Sequence, residues 1–311
     1  MRLTSLRLLV QHLSFVILVY GGRFGVSLGP ALPCFACPYV AGCGGYCYLM
    51  GLQGYIGFGM GAGLFGPDGL RALGYFALFV ALVAFGGKAW CGWVCPFGLV
   101  QDWLTALRQK LGWREAIISA PTLDKLSRVK YVLLAYLVLV PPLVKADLIH
   151  PDFYLPFCNL CPAKALMPLF VGETRYLALD TTNPVTTGYS AALLLISGGL
   201  LVGMFFKERF FCLFCPLLAL IHLLKPLTAL RLVKAPRICQ GCGACRRLCP
   251  LDIEKVYQER ERADVQAGDC LNCGRCVESC PGDRALGFRW LGLKLVESSR
   301  RLALGGKKVR A

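Results

Sequence analysis

Four stretches of this chain, at about 6–27, 72–87, 129–149 and 188–206, are apolar and nearly free of charge. Each is close to the length that crosses a hydrocarbon core of about 30 Å. Backbone polar groups must find partners within such a segment, so these stretches read as four transmembrane helices. A mean hydropathy of +0.56 with only 17% charged residues excludes an ordinary soluble globule. The connection 88–130 carries Lys88, Arg108, Lys110, Arg114, Lys125, Arg128 and Lys130, whereas 29–71 has Arg71 as its one basic residue. The positive-inside rule therefore puts 88–130 in the cytoplasm, with both termini and everything after about 207. Segments 28–71 and 150–187 then face outward, in a multi-pass protein of the inner, cytoplasmic membrane. The formal charge of +16 is accounted for by this topology and does not call for nucleic acid.

Two further segments need a decision. The first apolar run follows Arg2 and Arg7 like a signal peptide, but it leads straight into cysteines and is read as an uncleaved helix. The uncharged, glycine-rich span 46–66 is long enough to cross. A fifth crossing would move the basic connection outside, so it is expected to be re-entrant or interfacial and packed by small residues. Its Gly57-x-Gly59-x-Gly61-x-Gly63 run follows no strand, which argues against phosphate binding.

Cysteine spacing sets the chemistry. Of 18 cysteines, eight fall in two C-terminal runs, Cys239-x2-Cys242-x2-Cys245-x3-Cys249-Pro and Cys270-x2-Cys273-x2-Cys276-x3-Cys280-Pro. This is the ligand pattern of a two-cluster ferredoxin, in which the fourth cysteine of each run crosses to the other cluster. Cys239, Cys242, Cys245 and Cys280 are thus expected on one [4Fe–4S] cluster, and Cys270, Cys273, Cys276 and Cys249 on the second. A zinc ribbon would need two separated pairs, not four cysteines in eleven residues, twice.

The other ten cysteines lie in the apolar part. Each predicted helix is followed by a pair closed by proline: Cys34/Cys37, Cys91/Cys95, Cys158/Cys161 and Cys212/Cys215. Proline suits the first turn of a helix, so the second cysteine should stand at a helix start, where free N–H groups favour a thiolate. Pairs on the same side combine. Cys91, Cys95, Cys212 and Cys215 would hold a cytoplasmic-side cluster, and Cys34, Cys37, Cys158 and Cys161 an outer one. The roles of Cys43 and Cys47 stay open. The run Cys34, Cys37, Cys43, Cys47 could ligate a cluster by itself, or Cys43 and Cys47 could form a disulfide.

The segment Cys91-Gly-Trp-Val-Cys95-Pro-Phe-Gly-Leu-Val-Gln-Asp102, the second Cys-Pro pair and the ferredoxin unit together resemble the NapH-type family of membrane polyferredoxins. That family is related to the membrane portions of NosR-type and CcoG-type proteins. The resemblance covers about 72–285 and implies an electron-transfer subunit working between a quinol pool or cytoplasmic donors and a partner enzyme. The six cysteines on the expected outer side go beyond the family pattern.

The expectation is thus a mainly α polytopic protein, with a four-helix membrane domain (1–230), an α+β ferredoxin-like domain (231–288) and a basic tail (289–311). The tail, with Arg300, Arg301, Lys307, Lys308 and Arg310, could meet acidic lipid or a partner. Its partners would be lipid and the subunits of a quinone-linked or cytochrome-linked redox complex. No catalytic constellation is present, and His12, His150 and His222 do not mark a haem. Gln11 and His12, inside the first helix, could touch a quinone or pack against a neighbouring helix. A metal reductase or oxidase-assembly factor of CcoG type is the alternative function. Clusters at the two membrane surfaces would lie about 30 Å apart, too far for one efficient hop unless the helix ends are recessed.

Overall fold

A computed structural model describes residues 2–37, 39–58, 66–150, 156–177, 179 and 181–305. Among them, four helices are long and apolar enough to cross a membrane. They are α1 (Leu3–Tyr20, continued by a 3-10 turn to Phe24), α3 (Pro67–Gly86), α5 (Ala120–Lys145) and α8 (Pro184–Phe206). Their outward faces carry exposed Leu9, Leu13, Phe76, Leu78, Val132, Leu139, Leu195 and Val202, the surface that lipid solvates. The protein is a multi-pass membrane protein. Helix α5 starts nine residues before the apolar run, because its first turns are polar and carry Lys130, which pairs with Asp269 of the C-terminal domain.

Between the long helices lie short ones. Within the span 46–66 the described residues form α2 (Tyr48–Phe58). It packs against α5 and stacks Tyr48 on Phe79 of α3 at 4.0 Å. Most of the glycine run lies outside the described residues. A π-turn (Trp90–Val94) leads into α4 (Pro96–Lys110), which runs beside α1. Helices α6 (Pro156–Leu160), α7 (Pro162–Leu166) and α9 (Pro216–Leu223) are similarly short. The proline rule holds at three of the four sites: Cys95, Cys161 and Cys215 are the N-caps of α4, α7 and α9. Pro38 lies outside the described residues.

The C-terminal domain has an antiparallel sheet in the order β1 (Leu230–Lys234), β2 (Leu286–Trp290), β3 (Leu293–Glu297). Part of the expected tail is therefore strand, followed by α13 (Arg300–Gly305). One-turn helices α10 (Ala244–Arg247), α11 (Lys255–Gln258) and α12 (Arg275–Glu278) cover it around a core of Leu232, Val256, Val265, Val277, Leu286 and Phe288. The domain is seated on one end of the helix bundle. Glu278 accepts hydrogen bonds from the Thr4 backbone N–H (2.9 Å) and hydroxyl at the start of α1, and Trp290 donates to the Phe85 carbonyl at the end of α3 (2.9 Å).

Candidate metal centres

The thiols fall into four groups. Cys239, Cys242, Cys245 and Cys280 line one cavity of the C-terminal domain. Cys249, Cys270, Cys273 and Cys276 line a second, closed by Leu232 and Phe288 and also reached by Cys245. Gly243 and Gly274, with φ of +71° and +80°, precede α10 and α12 and turn the chain so that Cys245 and Cys276 enter their cages.

The third group is built from two Cys-Pro turns. Burial first, then Cys95 and Cys212, push the Cys91 thiol up, and burial, then Cys91, Cys212 and Cys95, do the same to Cys215. Cys91, Cys95, Cys212 and Cys215 thus act on one another electrostatically, and Cys91 also feels Cys34. The backbone N–H groups of Phe35, Gly98 and Phe97 oppose the burial that pushes the Cys95 thiol up. Burial pushes Cys212 up to about 11 against the pull of Arg209.

The fourth group departs from the expected set. Cys37, Cys158 and Cys161 line one cavity with Cys47, walled by Phe35, Leu49, Phe157 and Lys164. Cys34 is absent from that lining. It is fully buried against Leu18, Ala36 and Val94, beside Cys95 of the third group. In Cys34-Phe-Ala-Cys37 the first thiol thus packs by Cys95 and the second lines the cavity of Cys47, Cys158 and Cys161. Cys43 is half-buried and does not line the cavity.

Among the described residues no three His, Cys, Asp or Glu side chains converge closely enough for a single metal ion. Cages of four thiols held apart suit something larger, and a [4Fe–4S] cluster takes four thiolates. The electrostatics fit an anionic group. Arg209 lies by Cys212 and Cys95, Lys88 by Cys270 and Cys91, and Lys164 by Cys158, Cys37 and Cys161. Burial alone would keep these thiols protonated, so nearby cations and backbone N–H groups favour their thiolate forms.

The spacing between groups is set by α1. Thr4 touches Glu278 of the C-terminal domain, Gln11 donates to the Gly92 carbonyl in the third group (3.2 Å), and the Leu18 carbonyl accepts from Gly44 N–H beside the fourth (3.0 Å). Residues 4, 11 and 18 are successive steps of seven, about 10 Å each at 1.5 Å per residue. Cys37 and Cys47 lie in the core of the bundle rather than at its rim. His12 of α1 meets the Trp103 indole N–H (3.3 Å).

Sequence reasoning missed a buried ion network at this junction. Asp102 accepts two hydrogen bonds from Arg209 (2.9 and 2.6 Å) and faces Arg7 (3.7 Å) and Arg275 (4.0 Å), while Arg275 also pairs with Glu208 (2.5 Å). It ties α1, α4, the approach to α9 and α12 together. Five charged residues scattered from 7 to 275 leave no local signal in the sequence.

A fold of four membrane helices carrying cysteine cages, with a dicluster domain on one end, defines a membrane polyferredoxin. A family model described as a 4Fe-4S binding domain matches residues 69–114 and 189–232, and one described as a 4Fe-4S dicluster domain matches 231–281. YccM of Escherichia coli K12, an electron transport protein by name, is 28% identical over 65% of this chain and 51% of its own length. The ferredoxin-type protein NapH of Haemophilus influenzae is 28% identical over 69% of the chain and 67% of its own. The methylamine utilization ferredoxin-type protein MauN of Methylorubrum extorquens is 27% identical over 69% and 66%. The chain thus spans about half of YccM and about two thirds of the other two. No solved structure matches it. The chain is thus similar to ferredoxin-type membrane proteins of the NapH type and carries 4Fe-4S binding domains.

Proposed function

We propose that this protein carries electrons between its dicluster domain and a partner at the far end of the membrane bundle, through four [4Fe–4S] clusters in line. The ligand sets are Cys239, Cys242, Cys245 and Cys280, then Cys249, Cys270, Cys273 and Cys276, then Cys91, Cys95, Cys212 and Cys215, then Cys37, Cys47, Cys158 and Cys161. The last set replaces Cys34 with Cys47. When bound, the clusters supply the one-electron chemistry. The chain's own residues hold them, exclude water and set their spacing.

The single observation that carries this reading is that α1 meets the dicluster domain, the third group and the surroundings of the fourth through residues 4, 11 and 18, at steps of about 10 Å along its axis. The charge asymmetry of the connections supports the dicluster domain on the cytoplasmic side and the Cys37 group toward the outside. The partner is then a subunit of a quinone-linked or cytochrome-linked complex, reached on the outer side or within the membrane.

Iron and acid-labile sulfide on anaerobically purified protein test the reading. Four cubanes give about 16 Fe per chain, Cys47→Ser and Cys161→Ser lower this to about 12, and Cys34→Ser leaves about 16. About 12 Fe in the unaltered protein, with no loss in Cys47→Ser, would overturn it.

A further inference from the structure

The segments that build the two membrane groups repeat a longer pattern than the Cys-Pro pairs, although Cys43, the match of Cys91, does not line its cavity and Cys37 does. Cys43-Gly-Gly-Tyr-Cys47-x5-Gln53 matches Cys91-Gly-Trp-Val-Cys95-x5-Gln101, and Phe157-Cys158-x2-Cys161-Pro matches Phe211-Cys212-x2-Cys215-Pro. The preceding helices run in opposite directions, α1 away from the dicluster domain and α3 toward it. This is an inverted repeat across the membrane. Its glycines share one constraint. A Cβ on Gly44 would stand 2.2 Å from the Ile17 carbonyl oxygen, and one on Gly92 would stand 2.3 Å from the Leu271 oxygen.

The glutamines also match, atom for atom. Gln53 and Gln101 are almost fully buried. Gln53 Oε1 accepts from Phe157 N–H (3.2 Å), and its Nε2 reaches Cys158 Sγ (3.6 Å) and the Leu49 carbonyl (3.0 Å). Gln101 Oε1 accepts from Phe211 N–H (3.2 Å), and its Nε2 reaches Cys212 Sγ (3.7 Å) and the Phe97 carbonyl (3.5 Å). A backbone N–H can only donate, so the amide oxygen must face it. The NH2 group is left for the sulfur.

We propose that Gln53 and Gln101 are paired positioning residues, each raising the reduction potential of its own membrane cluster through an N–H···S bond to a ligand cysteine. The inference rests on the ligand sets proposed above. A cluster that takes up one electron becomes more negative, and a donor on a ligand sulfur stabilises that charge, more so where water is excluded. Holding the acceptor end on the residue before the cysteine fixes the amide rotamer, so the donor cannot turn away. Two such residues keep two adjacent clusters close in potential, which lets an electron pass in either direction.

The test is a redox titration of each membrane cluster, followed by electron paramagnetic resonance, with iron counted on every sample. Gln101→Leu should lower the reduced-to-oxidised ratio of the Cys91/Cys95/Cys212/Cys215 cluster about tenfold at fixed potential, a shift of about 59 mV for one electron. It should leave the other cluster in place, and Gln53→Leu should do the converse. Gln101→Glu keeps the acceptor for Phe211 N–H and loses the donor, so it should retain iron and still shift. Iron retained with unchanged potential, or equal shifts of both clusters from one substitution, would overturn the inference. So would loss of iron in both Gln101→Leu and Gln101→Glu, which would make the residue a structural clamp alone. A wild-type count near 12 Fe would instead sink the four-cluster reading.

Discussion

The backbone N–H of Phe35 favours the Cys95 thiolate, while its ring walls the cavity of Cys37, Cys47, Cys158 and Cys161. One residue thus touches both membrane groups. Its ring also packs against Phe97 (6.0 Å), Phe157 (6.2 Å) and Phe211 (5.6 Å), so the space between the groups is filled with aromatic carbon and closed to water. Phe35→Ala should open a cavity, cost about 3–5 kcal/mol and admit solvent between the groups. Chemical denaturation of the purified protein would show the first effect. A faster loss of iron from the Cys37 group in air would show the second, and unchanged air stability would contradict it.

Gly92 lets the dicluster domain approach the third group, with Trp93 donating to the Asn272 carbonyl at 2.9 Å. Gly92→Ala places a Cβ against the Leu271 oxygen, where only backbone can give way. The expected cost is about 1–3 kcal/mol, by analogy with overpacking. Limited proteolysis should release the C-terminal domain faster in this variant, and an unchanged digestion rate would count against the contact.

Lys88 is almost fully buried, its Nζ has no hydrogen-bond partner among the described residues, and it lies near Asp269, Cys270 and Cys91. Burial pulls its pKa down to about 8, with those anions opposing the fall. A cation between two clusters favours their reduced forms. Lys88→Met should therefore lower the potentials of the Cys249 and Cys91 clusters and spare that of Cys239, and a titration showing a uniform shift would exclude a local role.

Asp102 is shielded from solvent yet held below the ordinary carboxylate range: burial pushes it up, but Arg209 and Arg7 outweigh that. Such a group contributes stability above its unfolded pKa and loses it as pH falls through the lower folded value. Asp102→Asn removes the counter-charge of buried Arg209 and should cost about 3–5 kcal/mol at pH 7. Thermal unfolding in detergent, followed from pH 7 down to values below the ordinary Asp pKa of about 3.9, should show the gap between variant and parent narrowing there. A constant gap would refute the ionised role.

His222 sits under Gly268 and shares a hydrogen bond with the Tyr131 hydroxyl. Burial first, then Lys88, with Lys130 and Lys225 against Asp269, take its pKa from 6.5 to about 4. The unfolded chain binds more protons between those values, so stability falls as pH drops from 6.5 toward 4. Hydrogen exchange around Gly268 should quicken from pH 7 to pH 5 beyond the intrinsic change, and His222→Gln should flatten that response. An identical slope in the variant would remove His222 as its source.

The local signals were strong where the chemistry is local. Charge-free length marked the four helices, because hydrocarbon leaves the backbone no other partner. Proline after cysteine marked the starts of α4, α7 and α9, because a missing N–H is tolerated there. The spacing in 239–249 and 270–280 leads to the proposed sharing of thiols in the C-terminal domain, since the crossing fourth cysteine follows from the ferredoxin pattern. What the chain could not show by itself was depth and facing. Packing of the connection before Cys47 against α1 set Cys34 beside Cys95 and brought Cys47 into the cavity of Cys37, Cys158 and Cys161. Those outcomes depend on contacts between residues tens to hundreds apart, Phe35 with Cys95, Gln53 with Cys158 and Asp102 with Arg209, and only packing in three dimensions decides them.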